Sequence, residues 1–233
     1  MKNESNLIPE HIGIIVDGNR RWAKKQNLPS LEGHRVGANR IKEIAEYALT
    51  RGVKILTIFV FSTENWKRSQ EEVGYLFKLF TDFLNNEAEN LSKRGIKLQI
   101  LGDRSKFDDH FMRVIDNAEK ITTEADKGLL NLCLNYGGRD EIVKAVQKIV
   151  ANKVAESDIT EDLIKQNLYS KNIMDPDFII RTSGEQRLSG FLTWQSVYSE
   201  LYFAQKMWPE FSKDDFDLAL AEYSNRQRRF GGN

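Results

Sequence analysis

Charged and amide side chains follow the first apolar run of the chain, at Asp17, Asn19, Arg20 and Arg21. Four of the five residues in that run, 12–16, are apolar, which predicts a buried strand. In open α/β sheets, ligands bind at the carboxyl ends of the strands, so these side chains stand where chemistry usually occurs. Gly18 lets the backbone approach a ligand closely. Two arginines and the N–H groups of a helix start then match a phosphate or diphosphate. A purely structural reading, in which Asp17 caps the turn and the arginines are solvated, is equally open.

Later polar segments carry side chains of the same kinds, namely His34, Ser62, Asn65, Arg68, Arg181, Arg187, Ser189 and Glu200. Together with Asp17 they provide two carboxylates, several arginines and small hydrogen-bond donors, which suit a Mg²⁺ ion and two phosphorylated groups. Any one arginine is more often part of a surface ion pair. The lone His34, at the start of a predicted helix, is more often a cap or a surface residue than a base.

Strand-like and helix-like segments alternate along the chain, and they would position these loops. Apolar runs predict strands at 12–16, 55–61, 96–101, 129–135 and 177–181, with a sixth at 201–203. Amphipathic spacing predicts helices at 36–49, 73–91, 107–125, 140–154, 160–168 and 211–229. This alternation favours an α/β fold with a mostly parallel sheet and helices on both faces. With no repeat or linker, we expect residues 1–233 to form a single domain.

Composition excludes several classes of function. Lys plus Arg and Asp plus Glu both total 34, so no excess charge favours nucleic acid as a partner. The single cysteine, Cys133, lies in an apolar run, which rules out a disulfide framework and indicates a reduced compartment. No apolar run approaches the ~20 residues of a membrane span, so we expect a cytoplasmic protein. The phosphate-loop, dinucleotide and His-Glu-x-x-His motifs are all missing from the sequence.

Taken together, the motifs resemble the cis-prenyltransferase family, and within it the bacterial undecaprenyl diphosphate synthases. The matching segments are 11–23, 33–37, 61–72, 135–139, 180–189, 194–195, 198–203, 208–209 and 228–232. They run in the order of the family over almost the whole chain. The resemblance implies a six-stranded sheet, surrounded by helices that enclose a hydrophobic tunnel, in a homodimer.

The resemblance also implies the reaction. An allylic diphosphate, expected to be farnesyl diphosphate, is extended by repeated cis addition of isopentenyl diphosphate. The expected product is undecaprenyl diphosphate, the carrier-lipid precursor for cell-wall synthesis. Since such a product is very apolar, we expect peripheral contact with the inner face of the membrane for its release.

Residue roles follow by the same resemblance. Asp17 and Asn65 would be catalytic: Asp17 would assist the metal and the departing diphosphate, and Asn65 would help to remove a proton. Glu200 would join Asp17 in holding Mg²⁺. The allylic diphosphate would be held by Gly18, Asn19, Arg20, Arg21, Trp22 and His34. The isopentenyl diphosphate would be held by Arg181, Arg187, Leu188 and Ser189. A mobile loop around the site would contain Ser62, Thr63, Glu64, Trp66 and Arg68.

Three positions depart from the family pattern. Ser30 stands where an arginine commonly binds the allylic diphosphate, which leaves Arg35 as a candidate replacement. Ser69 replaces a frequent proline, and Val60 is bulkier than expected beside the substrate, which would alter chain length. A shorter-chain synthase is therefore an open alternative.

Two other classes compete with this interpretation. A haloacid-dehalogenase-like phosphatase would need a second Asp at position 19, where Asn19 stands. A non-catalytic accessory subunit would lack the catalytic loop, whereas Asp17, Asn65 and Arg181 are present. The terminal Arg226, Arg228 and Arg229 have two interpretations, as cations favoured at a helix end or as contacts across a dimer.

Overall fold

The computed structural model describes residues 7–226. Within this range the strands are β1 His11–Ile15, β2 Ile55–Ser62, β3 Ile96–Leu101, β4 Gly128–Tyr136, β5 Phe178–Arg181 and β6 Glu200–Phe203. They form one sheet in the order β3-β4-β2-β1-β5-β6, and all its neighbouring strands are parallel. The predicted six-stranded, mostly parallel sheet is confirmed.

Helices connect the strands and cover the sheet. In the described range they are α1 Asn19–Lys25, α2 Ser30–Thr50, α3 Gln70–Lys93, α4 Asp109–Ile121, α5 Gly138–Ala151, α6 Glu161–Asn167 and α7 Lys213–Ser224. Short 3₁₀ helices lie at Thr63–Lys67, Arg104–Lys106, Glu156–Asp158 and Trp208–Glu210. No helix between residues 7 and 226 combines the length and hydropathy needed to cross a bilayer.

Some predicted boundaries move. The helix expected at 107–125 begins only at Asp109, because the side chain of Asp108 caps it by accepting from Phe111 N at 2.7 Å. His34 does not open its helix but lies in the second turn of α2. The segment after β2, expected to be a loop, contains the 3₁₀ helix Thr63–Lys67. The expected helix at 211–229 is α7 as far as Ser224; residues 227–233, with Arg228 and Arg229, lie outside the described range.

Alternate residues of each strand face opposite sides of the sheet, and both sides are buried, as parallel sheets require. On one face, residues such as Ile12, Ile58 and Leu132 pack into a core that includes residues of α2, α3, α4 and α7. On the other face, a smaller cluster contains Phe59 and Cys133. Burial of the thiol raises the pKa of Cys133 well above its ordinary value, which fits a core position.

The order of the strands brings three polar segments together. β1 lies between β2 and β5, so the residues that follow these strands meet at one edge of the sheet. The chain leaves β1 toward β2 on one side and later reaches β5 on the other, which is the topological switch point where α/β sheets bind ligands.

Candidate active site

A polar cavity of about 700 Å³ opens at the carboxyl edge of the sheet. Its walls come from the ends of β1, β2 and β5 and from the turn between β4 and α5. The predicted site residues that line it are Asp17, Ser62, Thr63, Glu64, Asn65, Arg68, Arg181 and Ser189. The cavity therefore gathers residues that are far apart in the sequence.

Arg181 lies at the centre of this cavity wall, with a side chain that is only 5% exposed. Its Nη2 donates to Asp17 Oδ2 at 2.9 Å, and its Nη1 donates to Ser189 Oγ at 2.9 Å. Nη1 also donates to the backbone carbonyl of Arg187. These bonds fix the guanidinium between the end of β1 and the loop after β5, at the wall of the cavity.

Asp17 is ionised at neutral pH. Burial alone would raise the pKa of Asp17, but the hydrogen bond and charge of Arg181, together with Arg21 at 3.2 Å, outweigh it and lower the pKa below its ordinary value. The backbone of Asp17 is equally constrained. Its N–H donates to Thr182 Oγ1 at 3.0 Å, and its carbonyl accepts from Trp208 N at 2.9 Å. The carboxylate is thus a rigidly held anion at the cavity wall.

Gly18 provides the turn from Asp17 into α1. Its φ of 103° lies in the left-handed region, and an added Cβ would lie 2.9 Å from Met207 Cβ. Only glycine fits both conditions without strain. The first N–H groups of α1 follow directly, and the first turn of a helix leaves such groups without backbone partners.

Glu72, which was not among the predicted site residues, joins three of them. It contacts His34 Nε2 at 3.3 Å, Arg68 Nη1 at 2.9 Å and Arg20 Nη1 at 3.5 Å. Burial and the nearby Arg68 lower the pKa of His34 to about 4, so the imidazole is neutral near pH 7. Ser69 caps α3 by accepting from Glu72 N at 3.2 Å, and a Ser-x-x-Glu pattern indicates only a helix start.

Glu185, also not predicted individually, joins the two expected diphosphate sites. Its carboxylate accepts from Arg21 Nη1 at 2.8 Å and from Arg187 Nη1 at 2.6 Å. The hydrogen bond from Arg187 lowers the pKa of Glu185 most, and the hydrogen bond from Arg21 lowers it further. The one indication in the sequence that Glu185 belongs to the site was its position within the motif 180–189.

An apolar cavity of about 40 Å³ lies beside the polar one, between α2, α3 and the sheet. Val16 and Val60 line both cavities, so the two share a wall. Asn19, His34 and Trp208 also line the apolar cavity. Of the aromatic residues of α3, Phe80 and Phe83 line it, whereas Phe77 packs among other rings.

The segment predicted as a mobile loop is held at several points. Ser62 N donates to Asn65 Oδ1 at 3.0 Å and so caps the 3₁₀ helix, while Trp66 Nε1 donates to Asn135 Oδ1 at 2.7 Å. Of the other predicted residues, Leu188 packs against the core of the second sheet face, and Trp22 is partly buried in α1. Arg35, the candidate replacement at Ser30, pairs instead with Glu32 at 2.9 Å.

Glu200 is not brought to Asp17. The register aligns Glu200 with Phe178 and Ile12, whereas Arg181 aligns with Ile15, the last residue of β1. At ~3.3 Å per residue, these two levels of the sheet are about 10 Å apart, and Asp17 lies further still. Glu200 instead binds Arg226 at 2.9 Å. The expectation that both carboxylates hold one Mg²⁺ is therefore not met within this chain.

A Mg²⁺ ion still fits the polar cavity. No group of three or more His, Cys, Asp or Glu side chains across residues 7–226 could hold a metal ion alone. However, Mg²⁺ is usually held by one or two carboxylates together with the phosphate oxygens of a substrate. Asp17 is ionised and faces the cavity, so it suits the single protein ligand of such an ion.

Comparison with known proteins places this site in context. A family model described as "Putative undecaprenyl diphosphate synthase" matches residues 15–231. An isoprenyl transferase of Clostridium perfringens is 47% identical over 97% of this chain and 90% of its own length. Those of Thermotoga maritima and Bacillus subtilis are both 46% identical over 97% of this chain, covering 97% and 88% of the relatives.

Solved structures share the fold. Lavandulyl diphosphate synthase from Lavandula x intermedia, in complex with dimethylallyl diphosphate, superposes with a TM-score of 0.93 at 37% identity. That match covers 96% of this chain and 98% of the other. A "probable undecaprenyl diphosphate synthase" from Campylobacter jejuni gives a TM-score of 0.81 at 31% identity with the same coverage.

Proposed function

Since this chain belongs to the isoprenyl transferase family of the undecaprenyl diphosphate synthase type, we propose that it is a Mg²⁺-dependent cis-prenyltransferase. It would condense isopentenyl diphosphate onto an allylic diphosphate, farnesyl diphosphate by preference, in repeated cis additions. The observation that carries the proposal is the wall of Val16 and Val60 between a polar, arginine-rich cavity and an apolar one. A diphosphate with an apolar tail needs this pair of environments side by side.

Two groups of residues would bind the two diphosphates. Arg181 and Ser189 form one anchored pair of donors, with Arg187 on the same loop, and these would hold the isopentenyl diphosphate. The N–H groups that follow Gly18, with Arg20 and Arg21, would hold the allylic diphosphate. Arginine suits diphosphate because its planar guanidinium donates two parallel hydrogen bonds.

Bond formation requires the carbon–oxygen bond of the allylic diphosphate to break, so negative charge develops on the leaving group. Preorganised cations and donors are most effective where such charge develops. Mg²⁺, held by Asp17 and the diphosphates, would supply additional positive charge at this point. The ionised state of Asp17 meets the requirement for a metal ligand near pH 7.

The condensing alkene must then lose a proton. An amide is not a proton acceptor near neutral pH, so Asn65 would act by hydrogen bonding, orienting the alkene and its diphosphate. Asn65 Oδ1 already accepts from Ser62 N, which leaves the amide nitrogen as the free donor group of this side chain. The basic oxygens of a diphosphate would then accept the proton.

The growing tail would enter the apolar cavity. Burial of apolar surface contributes about 0.8 kcal/mol per methylene, which favours a dry channel over water. At about 40 Å³ the cavity is smaller than the roughly 300–1,000 Å³ of ligand pockets, so α2 and α3 must separate as the chain grows. Undecaprenyl diphosphate is the proposed product, and the small cavity favours a shorter cis-polyprenyl diphosphate as the second candidate.

A homodimer in the cytoplasm, with transient membrane contact for product release, completes the proposal. The apolar product is the reason for membrane contact, since it would not leave into water. Sedimentation of the purified protein at micromolar concentration would give twice the mass of 26.9 kDa.

The test is incorporation of labelled isopentenyl diphosphate in the presence of farnesyl diphosphate and Mg²⁺, with the products sized after extraction. Asp17→Asn keeps the shape of the side chain but removes its charge, and we expect activity to fall by about 100- to 1,000-fold. Asp158→Asn, in the exposed turn Glu156–Asp158, is the matched control. No incorporation by the folded wild type, or full activity of Asp17→Asn, would contradict the proposal.

A further inference from the structure

Asn135, near the end of β4, has an unusual backbone and a fully buried side chain. It is 1% exposed, and its φ of 48° lies in the left-handed region that non-glycine residues seldom adopt. Such conformations persist where the surrounding structure enforces them, and they are frequent at functional sites. The carbonyl of Asn135 also accepts from Asp103 N at 3.1 Å. Two segments of the chain are therefore joined at this residue.

The side-chain amide has one consistent orientation. Asn135 Nδ2 donates to the carbonyl of Asp103 at 2.6 Å, so Oδ1 faces the opposite way. There it accepts from Trp66 Nε1 at 2.7 Å. Exchange of the two amide atoms would put a donor against a donor and an acceptor against an acceptor. The Asp103 side chain pairs with Lys144 of α5 at 3.1 Å, so the segment that holds the amide is linked to a further element.

Trp66 is held at its ring as well as at its nitrogen. The indole packs against Phe61 and Phe77, with ring centroids 5.2 Å away in both cases, and Lys106 Nζ lies 5.7 Å above it. The remaining hydrogen bond, to Asn135, fixes the rotation of the indole within this cluster. Trp66 is thus a fixed point within the 3₁₀ helix Thr63–Lys67, directly beside Asn65.

We propose that Asn135 is a positioning residue for the condensation: through Trp66 it fixes the 3₁₀ helix and so holds the Asn65 amide in the polar cavity. This inference rests on the proposed function and on the role given there to Asn65. Asn135 reaches Asn65 through its bond to Trp66, whereas Arg181 is held by Asp17 and by Ser189. Loss of the Asn135–Trp66 bond should therefore impair the chemical step while leaving the binding of both diphosphates nearly unchanged.

Three variants isolate this hydrogen bond. Asn135→Gly removes the amide at a backbone conformation that glycine adopts freely. Trp66→Phe keeps an aromatic ring in the cluster but removes the N–H donor. The double variant tests whether the two act through one interaction. Asn131→Ala is the matched control, because Asn131 is a buried residue of the same strand that donates to Thr57 Oγ1 at 2.9 Å, away from residues 62–68.

The readouts are kcat, both KM values and the isotope effect for isopentenyl diphosphate deuterated at C2, with farnesyl diphosphate as the acceptor. A shift of about 1 Å in a positioned group costs on the order of 100-fold, so we expect that loss in kcat for each single variant. We expect KM values within about threefold, a larger isotope effect, and a double variant no slower than the slower single one.

The control Asn131→Ala should retain kcat within about threefold, since it disturbs no residue of the 3₁₀ helix. Wild-type kcat in Asn135→Gly and Trp66→Phe, or a raised KM at unchanged kcat, would overturn the inference while leaving the proposed function intact. Because Trp66→Phe retains the ring, it decides the matter even where Asn135→Gly does not fold. A folded wild type without any incorporation would overturn both proposals.

Discussion

Asp17 and Arg181 form an ion pair across the carboxyl ends of two neighbouring strands, with Oδ2 and Nη2 2.9 Å apart. The register sets this pair, because Arg181 lies beside Ile15 and Asp17 follows Ile15 by two residues. Without substrate, the most buried cation of the site is therefore neutralised by its principal carboxylate. An incoming diphosphate would compete with Asp17 for Arg181, and Mg²⁺ would compete with Arg181 for Asp17. Binding at either side chain therefore changes the charge that balances the other.

Glu185 offers a direct test of competition between protein carboxylates and diphosphate. Glu185 forms ion pairs with both Arg21 and Arg187, and Glu185→Gln would remove its charge while preserving its shape. We expect inorganic pyrophosphate to bind about threefold to tenfold more tightly, since solvent-accessible ion pairs of this kind are weak and pyrophosphate would replace them. Titration calorimetry at low and high salt would measure the change, which should shrink at high salt.

Glu32→Gln is the control, because Glu32 forms a similar exposed pair with Arg35 at 2.9 Å on α2. Weaker pyrophosphate binding in Glu185→Gln would show that Glu185 orders the arginines rather than competes for them.

Ala38 offers a test of the apolar cavity. It lines the cavity of about 40 Å³, and Ala38→Leu would fill that space with three further carbons. We expect shorter products, because the tail meets the added side chain, with the first condensation little affected. Overpacking would cost about 1–3 kcal/mol of stability. Chromatographic sizing of labelled products would measure the effect.

Asn39→Leu places the same side chain on the exposed face of α2 and should leave the products unchanged. Products of wild-type length from Ala38→Leu would mean that the tail takes another route.

His11 should make the stability of the fold depend on pH. Its Nδ1 donates to the Met174 carbonyl at 2.6 Å, and its Nε2 accepts from Thr57 Oγ1 at 2.8 Å. Burial lowers the pKa of His11 from 6.5 to about 4, against the opposing effect of Met174. In the unfolded chain His11 binds a proton near pH 6.5, whereas in the folded chain it binds one only near pH 4. The free energy of unfolding therefore decreases as the pH falls from about 6.5 to about 4.

The measurement is urea unfolding of the wild type and His11→Gln at pH 7.5 and pH 5.5. We expect the advantage of the wild type to shrink by about 1.4 kcal/mol at the lower pH. His110→Gln, at an exposed position of α4, should follow the wild type. An advantage that is constant with pH would show that His11 has the same pKa in the folded and unfolded chains.

Much of the fold was predictable because local patterns decide it. Apolar, β-branched runs such as 55–61 are typical of buried strands, and the helices predicted between them provide the crossovers that parallel strands need. Polar residues at the ends of such strands must then meet at one sheet edge. Asp17, Ser62 and Arg181 were found in this way, without any knowledge of the order of the strands.

Side chains with an ordinary local explanation were harder to assign. In the sequence, Ser69 and Glu72 have the spacing of a capping box, and Asn135 is the last residue of the strand predicted at 129–135. Ser69 does cap α3 and Asn135 does lie in β4, but the Glu72 carboxylate contacts His34, Arg68 and Arg20 instead of completing a capping box. The contacts of Glu72 with His34 and of Asn135 with Trp66 join segments more than 30 residues apart, so no spacing within one element could reveal them.

Spacing along the chain thus decided which residues form each strand and which side chains end it, because those choices depend on near neighbours. Register and strand order, which depend on packing across the whole sheet, decided which of these side chains come together in the site. They separate Glu200 from Asp17 although both belong to family motifs, and they make Val16 and Val60 the common wall of two unlike cavities. Pairing between strands is a non-local property, and a slip of one residue would reverse every side chain.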